Sequence, residues 1–163
     1  MASTQAVSKQ SVSAAGHPAS ILFLLRIEGL AVAAVTAVLY ARTGASWWLF
    51  AALWFAPDLS MLGYLGGSCR GARIYNAFHS YVAPAALALS ALLLHAQDLM
   101  PVALIWANHI GVDRLLGYGL KYADGFGWTH LGRLGKEREA IPLTQGQESS
   151  AAAARARRAR CQS

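Results

Sequence analysis

Ile21 to Tyr40 reads I-L-F-L-L-R-I-E-G-L-A-V-A-A-V-T-A-V-L-Y, with Arg26 and Glu28 its only charged residues. As an α-helix rising about 1.5 Å per residue, a run of this length matches a hydrocarbon core roughly 30 Å thick. A secretory leader would carry a shorter apolar stretch without charges inside it. The run is therefore read as a membrane span. Runs of similar length follow at 47–65, 74–95 and 100–118.

Composition points the same way. The 163 residues are 55% hydrophobic and only 13% charged, with a mean hydropathy of +0.35, whereas a soluble domain carries about a quarter charged residues. Four apolar runs in a soluble bundle would leave too much apolar surface facing water. The expectation is an all-α polytopic membrane protein, a four-transmembrane-helix bundle over residues 20–122. A Ser/Ala/Gln-rich disordered lead over 1–19 precedes it, and an interfacial segment over 123–142 and a disordered tail over 143–163 follow.

The formal net charge of +6 is not spread over a folded surface. Arg155, Arg157, Arg158 and Arg160 lie in an Ala/Arg tail that suits anionic lipid, and most other basic residues flank apolar runs. The expected partner is thus the bilayer and not nucleic acid; no pattern speaks to oligomeric state. The first and third loops hold only Arg42, while the second loop and the C-terminal flank hold Arg70, Arg73, Lys121, Arg133, Lys136 and Arg138. By the positive-inside rule both termini face the cytoplasm. Cys69 and Cys161 fall on that side without metal-type spacing, so thiols are expected there rather than a disulfide.

Local signals refine the spans. Trp47-Trp48 beside a short connection fits an interfacial aromatic belt. Pro57 is expected to kink the second span and Pro84 to bend the third. Gly63, Gly66, Gly67 and Gly71, with Arg70 and Arg73, read as a flexible basic turn. The segment after Tyr122 carries Phe126, Trp128 and Leu131 among polar residues, as a short amphipathic element would.

The functional signal lies in Asn108 to Tyr122, N-H-I-G-V-D-R-L-L-G-Y-G-L-K-Y. His109 and Asp113 are four residues apart and share a helix face. Counting along the other spans brings Glu28, Asp58 and His79 to a similar depth in the cytoplasmic half of the bilayer. Ionisable groups at membrane depth are costly and generally have a partner or a task.

Two chemistries suit such a layer. In one, His79, His109 and Asp113 hold a zinc ion, with Asp58 a further ligand or, with Glu28, a catalytic base; Arg114 and Asn76 then stabilise negative charge. In the other, the same residues form a buried hydrogen-bond and ion-pair network that fixes helix packing. A polar transport path is a third use, though four helices leave little room for it. His130 could cover the cytoplasmic mouth of the site or sit at the interface as an ordinary belt residue.

The runs Leu24-Leu25-Arg26-Ile27-Glu28-Gly29, Ala56 to Tyr64, Tyr75-Asn76-Ala77-Phe78-His79 and His109 to Tyr122, followed by Thr129-His130-Leu131-Gly132, resemble the DUF4260 family of small bacterial integral membrane proteins. The resemblance covers about Ser20 to Gly135 and implies a polytopic protein of the bacterial inner membrane, with no activity attached. Pro57-Asp58 is more loosely similar to membrane-bound metal-dependent hydrolases with a Pro-Asp-x-Asp run, where Ser60 stands in place of the second Asp. That similarity implies a hydrolase acting on a lipid or other amphiphile. The alternative is a non-enzymatic membrane protein or complex subunit.

Overall fold

A computed structural model describes residues 19–123 and 127–133. Its helices are α1 (Ala19–Thr43), α2 (Trp47–Trp54), α3 (Ser68–Phe78), α4 (Val82–Leu93) and α5 (Leu99–Leu116), with a 3-10 helix over Ala56–Gly66. Three stretches, Ala19–Thr43, Trp47–Gly66 and Ser68–Leu93, are long and apolar enough to cross a bilayer. With α5 they form an all-α membrane bundle.

The bundle is organised inside out. α1 turns Phe23, Leu24, Ile27, Leu30, Val35, Val38 and Leu39 outward, as a lipid-facing helix does. α5 is the most enclosed; Asn108, His109, Ile110 and Gly111 are all buried. It packs most extensively on α1 and next on α4.

The α1–α5 crossing depends on small residues. A Cβ placed on Gly111 would lie 2.9 Å from both Ala33 N and Gly29 O, and one on Gly29 would lie 2.7 Å from Gly111 O. Gly29 and Ala33, four residues apart, thus form a groove that admits the α5 backbone. Above that crossing Asn108 donates from Nδ2 to Ala33 O at 2.7 Å and to Thr36 Oγ1 at 3.1 Å, while its Oδ1 accepts from Trp54 Nε1 at 3.0 Å. One side chain ties three helices together. Asn108→Leu is expected to lower stability in detergent by about 1–2 kcal/mol, since membrane hydrogen bonds contribute about 0.6 kcal/mol each and the buried Trp54 N–H loses its acceptor. A double-mutant cycle with Trp54→Phe checks this; purely additive losses would refute the coupling.

Both middle spans are broken. Pro57, buried, opens the 3-10 helix directly after α2, as its sequence position predicts. Eleven residues of 3-10 helix is long for a form that seldom exceeds three or four, and such stretches often mark functional segments. The other break falls at His79–Tyr81, ahead of Pro84, which the first turn of α4 accommodates. The carbonyls freed there find donors: Trp106 Nε1 reaches Phe78 O at 2.7 Å and Arg114 Nη2 reaches His79 O at 3.0 Å.

Several expectations are corrected. The glycine-rich stretch is no extended turn, because α3 already begins at Ser68; only Gly67, at φ +103°, needs glycine's conformational freedom. Gly71 instead lies against the Tyr64 ring, where a larger residue has no space. Cys69, expected as a thiol, is disulfide-bonded.

Beyond α5, Gly117 in the left-handed conformation ends the helix, its N–H bonding Arg114 O. The part of the expected amphipathic element that is described forms a small hairpin, β1 (Trp128–Thr129) against β2 (Gly132–Arg133), not a helix. Lys121 pairs with Thr129, and His130 N bonds Leu120 O at 3.0 Å, so this hairpin folds back on the chain leaving α5. The expected lead and the basic tail lie outside the described residues, apart from Ala19, which begins α1.

Candidate metal centre

Each polar group of the site comes from a different kind of helix position. His109 and Asp113 are one turn apart on α5, Asp58 follows Pro57 in the 3-10 helix, and His79 caps the C-terminus of α3. Two of the four therefore sit where a span is interrupted, the only places at membrane depth where a backbone can turn a side chain off the helical rotation.

The four converge. His79 Nε2 and His109 Nε2 are 3.3 Å apart. Asp58 Oδ1 is 3.5 Å from each of those nitrogens, and Asp113 Oδ2 is 3.5 Å from His79 and 3.8 Å from His109. The atoms make two triangles sharing the His79–His109 edge. A point equidistant from three atoms 3.3–3.5 Å apart lies about 2 Å from each, which is the zinc–ligand distance for imidazole and carboxylate. Asp58, His79 and His109 form a set whose ligand atoms all lie within 4.8 Å of one another.

The surroundings orient this set. His79 Nδ1 lies 3.0 Å from Tyr75 O. A carbonyl only accepts, so the proton sits on Nδ1 and the Nε2 lone pair points into the cluster. The Tyr75 ring stacks on His79 at 3.7 Å between centroids, and its hydroxyl donates to Asp113 Oδ2 at 3.3 Å. Tyr75 thus positions one histidine and one carboxylate at once. Trp54 walls the other side, edge-on to His109 at 4.9 Å. His109 Nδ1 is buried without a hydrogen-bond partner among the described residues.

Burial separates the two carboxylates. The His79, His109 and Asp113 side chains are 2%, 1% and 16% exposed, whereas Asp58 is 38% exposed and forms the mouth of the site. Beside that mouth is an apolar recess of about 190 Å³, lined by Leu53, Pro57, Phe78, Val102, Ile105 and Trp106. Pro57 and Phe78 are the chain neighbours of Asp58 and His79, so the recess opens next to the cluster.

Three expected members lie elsewhere. Glu28 is not in the cluster: on α1 it is Gly29, Ala33 and Thr36 that face α5, and Glu28 points to a different cavity, with Tyr81, Arg114 and His130. Similar depth does not imply the same rotation about the helix. Arg114 hydrogen-bonds the site at the His79 carbonyl and also donates to Tyr118 O at 3.4 Å. Asn76 uses both ends of its amide on the Lys121 backbone, donating to O at 2.9 Å and accepting from N at 2.7 Å, so it clamps the chain after α5 instead of facing developing charge.

Lys121 escaped the sequence reading except as a flanking charge. It is buried, with its Nζ 5.2 Å from the Tyr75 ring centre and 5.7 Å from that of Tyr118, and burial pulls its pKa below the usual lysine value. No local pattern signals this, because the clamp comes from Asn76, 45 residues earlier.

A bundle of apolar helices enclosing a His/Asp cluster at the breaks of two spans defines a polytopic membrane protein with a candidate metal centre. The chain belongs to the family described as Domain of unknown function (DUF4260), whose model matches residues 23–134. No curated protein and no solved structure matches it.

Proposed function

We propose that this chain is a divalent-metal-dependent hydrolase of the bacterial inner membrane, acting on a lipid or other amphiphile. The observation that carries the reading is the close pair of imidazole nitrogens, 3.3 Å apart, with a carboxylate oxygen from each of Asp58 and Asp113 at 3.5–3.8 Å from them, in a largely buried site. Two carboxylates beside lone pairs in a poorly solvated interior call for a cation, and this donor set suits zinc.

In this reading His79, His109 and Asp113 are the ligands. The Tyr75 hydroxyl orients Asp113, and the Tyr75 carbonyl fixes the His79 tautomer. A zinc ion bound there supplies Lewis acidity and an acidified water. Asp58, more exposed and with no hydrogen bond to its carboxylate among the described residues beyond the two rings, is placed to act as the proton acceptor at the mouth of the site and would return that proton to a leaving group there. The apolar recess beside Pro57 and Phe78 holds an acyl chain, bringing the polar linkage of an amphiphile to the mouth.

We further infer that this mouth opens toward the cytoplasmic leaflet, because Arg70, Arg73, Lys121 and Arg133 lie at one end of the spans and Arg42 at the other. A purely structural polar layer describes Asn108, Trp54 and Thr36 well, since their hydrogen bonds are closed among themselves and α1. It accounts for the His109–His79 contact as a hydrogen bond but gives no reason for a carboxylate on each of two sides of that pair.

Elemental analysis of purified protein is the direct test. One zinc per chain is expected in the wild type and less than a tenth of that in His79→Ala and His109→Ala, together with loss of hydrolysis of short-chain ester and phosphoester amphiphiles. Wild-type protein that binds no divalent metal, even after reconstitution, would overturn the proposal.

A further inference from the structure

The second cavity is larger and more polar than the first. It measures about 490 Å³ and is lined by Leu25, Glu28, Gly29, Ala31, Val32, Tyr81, Arg114, His130 and Leu131. Glu28 lies about 13 Å along α1 from Ala19 by the helical rise. Among the described residues it makes no ion pair. The nearest arginine on its own helix is turned elsewhere, with Arg26 Nη2 against Gly117 at the end of α5. Glu28 is exposed, so its carboxylate is open to a ligand entering the cavity.

Across the same cavity stands a guanidinium. Arg114 is held in place by the carbonyls of His79 and Tyr118, which occupy Nη2 and Nη1 and leave further N–H groups of its five donors. His130 accepts the Leu120 N–H at Nδ1, 2.8 Å away, so its proton is on Nε2. Leu25, Val32 and Leu131 supply apolar wall. One cavity thus offers a negatively charged acceptor, a cationic donor and an apolar flank, open at the lipid-facing side of α1.

We propose that this cavity binds a zwitterionic headgroup bearing a primary ammonium and a phosphate, with the ammonium on Glu28 and the phosphate on Arg114. The ammonium supplies the cation that Glu28 lacks, and a guanidinium is the side chain best matched to phosphate oxygens. The chemistry is shared by an aminophospholipid and by soluble phosphoethanolamine. The apolar flank favours the lipid. The inference concerns binding alone and does not depend on a metal or on hydrolysis.

The test uses the full chain in a non-ionic detergent, titrated with short-chain phosphatidylethanolamine, short-chain phosphatidylglycerol and phosphoethanolamine, with affinities read by native mass spectrometry. The wild type is expected to prefer the ethanolamine lipid over the glycerol lipid by roughly tenfold, the size of one charge-assisted hydrogen bond. Glu28→Gln should close that gap from both sides, because the ammonium loses its carboxylate and the anionic glycerol lipid loses a like charge beside its headgroup. Ala31→Phe, which fills the cavity without touching charge, should weaken both lipids. Tighter binding of the lipid than of phosphoethanolamine identifies a bilayer source, and the reverse a soluble one; both keep the site. A wild type without ethanolamine preference, a preference that survives Glu28→Gln, or affinities unchanged by Ala31→Phe would overturn it.

Discussion

Replacing Gly111 with valine is expected to cost about 3 kcal/mol or more and to lower the melting temperature in detergent by roughly 10 °C. The first added carbon would meet Ala33 N and Gly29 O at 2.9 Å, and both are backbone atoms of a regular helix that cannot rotate away. Relief requires α1 and α5 to separate, which also pulls Asn108 from its acceptors on α1 and shifts His109, two residues earlier. Gly66→Ala is the control, since its Cβ meets only the flexible Arg70 Cδ at 3.3 Å. Equal melting of the two variants would show that the crossing is not the packing constraint described.

The second large effect separates the two carboxylates. Asp58→Asn should retain zinc while the hydrolytic rate falls by roughly 10² to 10⁴, the usual contribution of a positioned proton acceptor. Asp113→Asn should instead lose metal, because it removes an anionic ligand from the more buried side of the site. Zinc content and turnover measured on the same preparations distinguish the assignments. If Asp58→Asn loses the metal and Asp113→Asn keeps it, their roles are exchanged, which the tighter grouping of Asp58 with the two histidines would accommodate.

How much of this was legible in the chain depends on which geometry a residue obeys. Helix content, the break at Pro57 and the pairing of His109 with Asp113 follow from composition, proline chemistry and the four-residue repeat. Asp58 and His79 were placed by counting depth, and the structure brings them to the α5 pair. Glu28 passed the same count and lies elsewhere, because depth along a helix carries no information about rotation, and rotation was fixed by Gly29 and Ala33 facing α5. Asn76 shared a face with His79 by spacing, yet α3 ends at Phe78 and the two side chains serve different partners. Tyr75 stands out in the sequence only as part of the run to His79; its double hold on His79 and Asp113 needs α3 and α5 to be docked. The small-residue pair at 29 and 33 was present as a signal and is the one feature of the fold that a closer reading of spacing would have found.

The enclosure of α5 bears on how the protein is made. Helices enter the bilayer in order of synthesis, and each is sorted by its own transfer free energy; Asp or Arg near a helix centre costs about 2.5–3.5 kcal/mol on the insertion scale. α5 carries Asn108, His109, Asp113 and Arg114 within 18 residues, and it is the one long helix that falls outside the set apolar enough to cross by itself. It follows α1 to α4 in the chain, so a groove at Gly29 and Ala33 and acceptors on Thr36 are already in the membrane when it emerges. Its entry is then a docking event more than a partition. The residues that make the candidate site are thereby coupled to biogenesis: the bilayer admits them only as part of an assembly.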